Sequence, residues 1–170
     1  TKWDNSYSGI TFSLWFKRVA GTYDNIYYTS QIQFKNTADT SKLITMTISH
    51  YQGTSHQIAI SFQDVGGETY FQTSSDYIVS SGWHHIAMSV DKSGYWKIYV
   101  DGVDIPLLTG TTRGTIRTYG GASYPVANKL PDVNRVNIGE YFDNSGGFVG
   151  YLDDFRIYDK ALSQEEITQL

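Results

Sequence analysis

An apolar residue at every second position is the feature that most restricts what this chain can fold into. From Ile10 to Lys17, Ile10, Phe12, Leu14 and Phe16 alternate with Thr11, Ser13 and Trp15. That spacing places one face of an extended strand in a core, because successive side chains of a strand point to opposite sides. Ile44, Met46 and Ile48 repeat the pattern, as do Ile58, Ile60 and Phe62 after the turn residues Gln52, Gly53, Thr54 and Ser55. The two runs read as a hairpin. A second hairpin joins Ile86, Met88 and Val90 to Trp96, Ile98 and Val100 across Asp91-Lys92-Ser93-Gly94, and it ends at the turn pair Asp101-Gly102. Shorter strands are predicted over Glu68 to Gln72, Val136 to Ile138 and Phe148 to Tyr158. With eight or more strands joined by Gly, Asn, Asp and Ser turns, two packed antiparallel sheets are the expected architecture.

Helical spacing occurs at one place, the C-terminus. Ser163 stands three residues before Glu166, the spacing of a capping box, and Leu162 is placed to staple onto Ile167. One or two helical turns are expected there. The stretch from Pro106 to Arg135 shows little alternation and carries Gly110, Gly114, Gly120, Gly121, Pro125 and Pro131, so it is read as a long connection of the kind that often carries function.

Composition narrows the function. With 170 residues and 40% hydrophobic content, one domain with one core is expected. A net charge of -4 and the lack of any Lys/Arg cluster argue against a nucleic-acid partner, whose phosphates call for a concentrated positive field. There is no cysteine, which removes disulfides, thiolate metal sites and thiol nucleophiles. No apolar run approaches the roughly 20 residues of a membrane span, so membrane insertion is not expected. The polar lead-in from Thr1 to Ser8 reads as the start of a piece from a longer polypeptide.

Several runs resemble the laminin-G-like jelly rolls of the concanavalin-A-like superfamily. Ser81-Gly82-Trp83-His84-His85-Ile86-Ala87-Met88-Ser89-Val90-Asp91 and Ile98-Tyr99-Val100-Asp101-Gly102-Val103 are similar to the central hairpin of those domains. Val136-Asn137-Ile138-Gly139 and the run from Phe148 to Tyr158 resemble the late strands, and the run from Lys160 to Ile167 resembles the closing helix. The resemblance implies an all-β jelly-roll sandwich of two antiparallel sheets with a short C-terminal helix, spanning residues 1-170 as a single domain. It also implies an extracellular setting and a non-catalytic carbohydrate-recognition or adhesion module of a larger secreted or surface protein. The partners expected are a glycan or cell-surface glycoprotein and other domains of the same polypeptide. The alternative is a receptor-binding or structural domain of a viral, phage or bacterial surface protein.

Glycan-cleaving enzymes of this fold need residues not found in the expected pattern. A retaining glucanase requires two carboxylates about 5 Å apart, yet Glu68, Glu140, Glu165 and Glu166 form no close alternate pair. The alginate-lyase relatives place a His where this chain has Gln31-Ile32-Gln33. No enzyme is therefore expected. His84 and His85, adjacent on a strand, point to opposite faces and cannot share an ion. The plain expectation is that His84 packs at the core edge while His85 lies on the sheet surface.

The resemblance further implies a Ca²⁺ site at Asp153, the carboxylate at the start of the last long strand, completed by carbonyls from the beginning of the chain. Strict alternation would put Asp153 on the face of Phe155 and Ile157, leaning inward, where it needs a cation or several amide donors. Ligand contacts are expected from two Gly/aromatic loops, with Tyr119 and Tyr124 in one and Tyr141, Asp143 and Asn144 in the other. Their rings would stack on the apolar face of a sugar while the amide and carboxylate read its hydroxyls. Trp15, Trp83 and Trp96 are expected to pack rather than to serve as platforms.

Overall fold

The computed structural model describes residues 8–18, 29–35, 37–38, 43–51, 55–64, 67–73, 82–91, 96–105, 107–108, 111–112, 115–116, 135–139, 148 and 150–170. Their strands are β1 (Gly9–Arg18), β2 (Thr29–Lys35), β3 (Leu43–Tyr51), β4 (Ser55–Asp64), β5 (Gly67–Thr73), β6 (Trp83–Asp91) and β7 (Trp96–Val100). They continue with β8 (Val103–Ile105), β9 (Leu107–Leu108), β10 (Thr111–Thr112), β11 (Thr115–Ile116), β12 (Arg135–Ile138) and β13 (Gly150–Tyr158), followed by the helix α1 (Gln164–Ile167). One sheet runs β13-β1-β6-β7-β8, the other β12-β2-β3-β4-β5-β9, and β10 pairs with β11 alone. The strand pairs are antiparallel, as in a β-sandwich.

The alternating runs do what their spacing predicts. In the register of β1 with β6, Ile10 lies opposite Val90, Phe12 opposite Met88 and Leu14 opposite Ile86. All six side chains are buried, and Ile98 and Val100 of β7 extend the same inner face. Burying side chains of this kind stabilises by about 1.5–3 kcal/mol each before the cost in entropy. Phe12 meets Phe34 of β2 with ring centroids 4.6 Å apart, so the two sheets close directly on each other. No helix among the described residues is long and apolar enough to cross a membrane.

The Asp101-Gly102 turn is the expected two-residue hairpin link, with Val100 opposite Val103. Both turn residues have positive φ, 50° and 77°, which is the backbone of the mirror-image turns that match strand twist. Asp tolerates that region and Gly has no Cβ to oppose it.

The C-terminal capping box forms as read: the Ser163 hydroxyl accepts the Glu166 N–H, and the Glu166 carboxylate accepts the Ser163 N–H. Its role is tertiary. Leu162 and Ile167 bury against Ala87 and Tyr99 on the outer face of the five-stranded sheet, with Tyr158 and Leu170 packed around them. Thr11 clamps this segment, its hydroxyl donating to the Lys160 carbonyl at 2.8 Å and accepting the Leu162 N–H at 2.9 Å.

Three features depart from the expectations. β2, in which Ile32 and Phe34 alternate with Gln31, Gln33 and Lys35, is not among the predicted strands, and the Pro106 to Arg135 connection contains β9, which extends the six-stranded sheet, as well as β10 and β11. β13 begins two residues later than Phe148, because the Phe148 N–H donates to the Gly139 carbonyl instead of joining the ladder.

Candidate functional site

The outer face of the five-stranded sheet is covered only in part. The segment from Lys160 to Leu170 lies over Thr11, Ala87 and Tyr99, and no other described segment covers the opposite end of the face. Two register rows define that open half. In one, Trp15 stands between Asp153 on β13 and His85 on β6; in the next, Lys17 stands between Tyr151 and Trp83. Trp83 and Tyr151 are 44% and 59% exposed, and their ring centroids are 6.3 Å apart. The expected packing role of Trp83 does not hold. It sits at the strand end, past the reach of α1, and on the face opposite the sandwich core.

His85 is the reverse case, since it was expected on the surface and is buried. Trp15 covers it with ring centroids 5.2 Å apart, leaving 4% of the residue exposed. Burial holds the imidazole below its ordinary pKa, while the Asp101 carboxylate and then Asp154 pull it partly back. Asp101 also ties the turn to β6: its N–H donates to the His85 carbonyl and its Oδ1 accepts the His85 N–H, both at 2.8 Å. Its other oxygen lies 2.8 Å from Nδ1 of His84, which packs on the opposite face against Phe16. The two histidines do point apart, as expected.

A β-bulge resets the face of Asp153. Between the pairs Ser13–Arg156 and Trp15–Asp153, Leu14 alone opposes both Asp154 and Phe155. Asp154 takes the left-handed backbone, with φ 50°, and Arg156 grips its carboxylate through two hydrogen bonds of 2.7 and 2.5 Å. That grip raises the already high pKa of the guanidinium. The extra residue shifts the alternation, so Asp153 stands exposed beside Trp15 on the outer face and the inward lean expected from parity is overturned.

Ca²⁺ takes six to eight oxygen ligands. Asp153 offers one carboxylate, whose Oδ1 already accepts the Asp154 N–H, and Asp154 is held by Arg156. Among the described residues no group of three His, Cys, Asp or Glu side chains is placed to hold a metal ion. The described residues thus offer the ion one carboxylate, and residues 1–7, at the end of the chain from which the carbonyl ligands are expected, lie outside them.

One of the two expected ligand loops has its base at this end of the sandwich. Gly139 and Phe148 are joined by the 2.8 Å hydrogen bond from the Phe148 N–H, so the intervening segment leaves and returns at one point. Phe148 packs edge-on against Phe16 at 6.3 Å. A Cβ on Gly139, whose φ is 79°, would lie 3.4 Å from Leu152, the neighbour of Tyr151 on β13. Tyr141, Asp143 and Asn144, and Tyr119 and Tyr124 of the other loop, lie outside the described residues.

The chain belongs to the concanavalin A-like lectin/glucanases superfamily: a laminin-G-type profile of that superfamily matches residues 3–168. Over 89 residues it is 32% identical to the sushi, von Willebrand factor type A, EGF and pentraxin domain-containing protein 1 of Rattus norvegicus, a match covering 52% of this chain and 2% of that protein's length. Among solved structures, the CBM40 of the Ruminococcus gnavus IT-sialidase bound to α2,3-sialyllactose superposes with a TM-score of 0.66 at 14% identity, over 97% of this chain and 83% of that one. The receptor binding domain of botulinum neurotoxin type G superposes with a TM-score of 0.58 at 14% identity, over 95% and 37%. At these identities the structural likeness is one of fold.

Proposed function

We propose that this chain is a non-catalytic glycan-recognition module of a larger secreted or cell-surface protein. The observation that carries the reading is the exposed Trp83–Tyr151 ring pair, 6.3 Å between centroids, at the sandwich end where the Gly139–Phe148 loop is rooted. Adjacent large rings exposed on a sheet face offer apolar area whose burial by a ligand is favourable. A sugar ring, apolar on its face and polar at its rim, suits such a pair. In this proposal Tyr141, Asp143 and Asn144 contribute further contacts to the sugar, as do Tyr119 and Tyr124. The sialyllactose-bound CBM40 supports the reading because its fold is shared. The match to part of a much longer protein supports placement among other domains.

The test is a glycan array probed with the 170-residue chain, followed by calorimetric titration of the best ligand. Removing either ring, as Trp83→Ala or Tyr151→Ala, is expected to weaken binding about tenfold with little change in melting temperature. Absence of binding to any glycan overturns the proposal. In that event a protein receptor becomes the leading reading, favoured by the likeness to a toxin receptor binding domain.

A further inference from the structure

The outer sheet face beyond the C-terminal segment carries two charges without counter-ions among the described residues. Lys17 is partly buried in the row between Tyr151 and Trp83, and no carboxylate among the described residues comes within ion-pair distance of its ammonium. Asp153, two residues along β13 from Tyr151, meets no cation among the described residues, and its Oδ1 holds only the next backbone N–H. The neighbouring charges are satisfied, since Arg156 and Asp154 close on each other. Diagonal neighbours across antiparallel strands lie roughly 7–8 Å apart. An ammonium and a carboxylate with no ion-pair partner among the described residues are thus set about one substituted sugar ring apart, beside exposed aromatic rings.

We propose that Tyr151, Lys17, Trp83 and Asp153 form a subsite for an acidic sugar. The rings take its apolar face, Lys17 takes its carboxylate or sulfate, and Asp153 accepts hydrogen bonds from its hydroxyls. This rests on the glycan-recognition reading and adds the class of sugar. Charge complementarity selects the occupant: a partner that is apolar throughout would bury both charges unpaired at a cost of several kcal/mol, whereas an acidic sugar supplies an anion for Lys17 and donors for Asp153. Lys17 is suited to either anion because an ammonium acts as a compact point charge without a fixed fork geometry.

Titrations of 3′-sialyllactose, 3′-sulfolactose and lactose against the wild type and variants test the subsite and separate the two anion types. The wild type should bind at least one acidic trisaccharide or sulfated disaccharide about fivefold more tightly than lactose, with the advantage shrinking at high salt. In Lys17→Gln the ratio should fall to about one, and Lys17→Arg should restore it; melting curves confirm that each variant is folded. Should Lys17→Gln fail to fold, the salt dependence of the wild-type ratio decides instead. Equal binding of lactose and both acidic ligands by the wild type, or an undiminished ratio in Lys17→Gln, overturns the acidic-sugar subsite and leaves glycan recognition standing. No binding of any sugar here or on the array overturns both.

Discussion

His85 shows how much one position can be altered by what covers it. On a sheet face open to water it would titrate like any surface imidazole, but Trp15 removes it from solvent and desolvation outweighs the attraction of Asp101. A histidine held neutral by burial costs stability when the medium protonates it. Below its ordinary pKa of 6.5 the unfolded chain binds a proton that the folded chain resists, so this contribution declines as pH falls from 6.5 toward the depressed folded value. The carboxylates of Glu165 and Glu166, held below their ordinary 4.5, keep their contributions until the medium is more acidic still. We therefore expect His85→Phe, which keeps the stack on Trp15 without a titrating group, to flatten the fall in melting temperature between pH 7.5 and 5.5. An unchanged slope in the variant would show that His85 does not titrate in that window. Burial of His85 and exposure of Trp83 were both unreadable from alternation. Periodicity assigns residues to faces but does not say which part of an outer face another segment will cover.

At the scale of elements, the bulge in β13 decides the most. Alternation from Leu152 to Tyr158 is broken where Asp154 adopts φ 50°, and every residue before that point changes face relative to those after it. The sequence holds a hint in Asp153-Asp154, since Asp is among the few non-glycine residues that enter the left-handed region, but consecutive aspartates also occur in ordinary strands. Asp154→Gly should be tolerated within about 1 kcal/mol, because relief of the left-handed backbone offsets the lost exposed ion pair with Arg156. Asp154→Val should cost about 2 kcal/mol or more, since a β-branched residue is disfavoured there. Chemical denaturation of the two variants measures the difference. Equal stability would mean that the backbone abandons the bulge, and Asp153 would then turn away from Trp15. The capping box and the Asp101-Gly102 turn were legible from sequence because each is a local bargain between residues at most three apart. β2 carries the same signal, Ile32 and Phe34 set between Gln31, Gln33 and Lys35, but with two apolar positions it is too short to stand out from chance.

For the whole molecule, the C-terminal segment divides the outer face of the five-stranded sheet into a covered half and an open half. Its four-residue helix has little stability of its own, as short helices are marginal in water, and it is held by Leu162 and Ile167 packed on Ala87 and Tyr99. Ile167→Asp places an unpaired charge in that cluster and is expected to destabilise the protein by about 3–5 kcal/mol, read as a lowered denaturation midpoint and earlier proteolysis of the C-terminus. A midpoint within 1 kcal/mol of wild type would show that the segment contributes little to the closed sandwich. Alternation, turn pairs and capping were decided by local chemistry, so the residues in chain order were enough to indicate two antiparallel sheets and a short closing helix. Which aromatic rings stay in water, which histidine is buried, and which way Asp153 faces were decided by contacts between positions as distant as Thr11 and Leu162. Those contacts exist only once the chain has closed on itself, and the open row of Tyr151, Lys17 and Trp83 is what they leave uncovered.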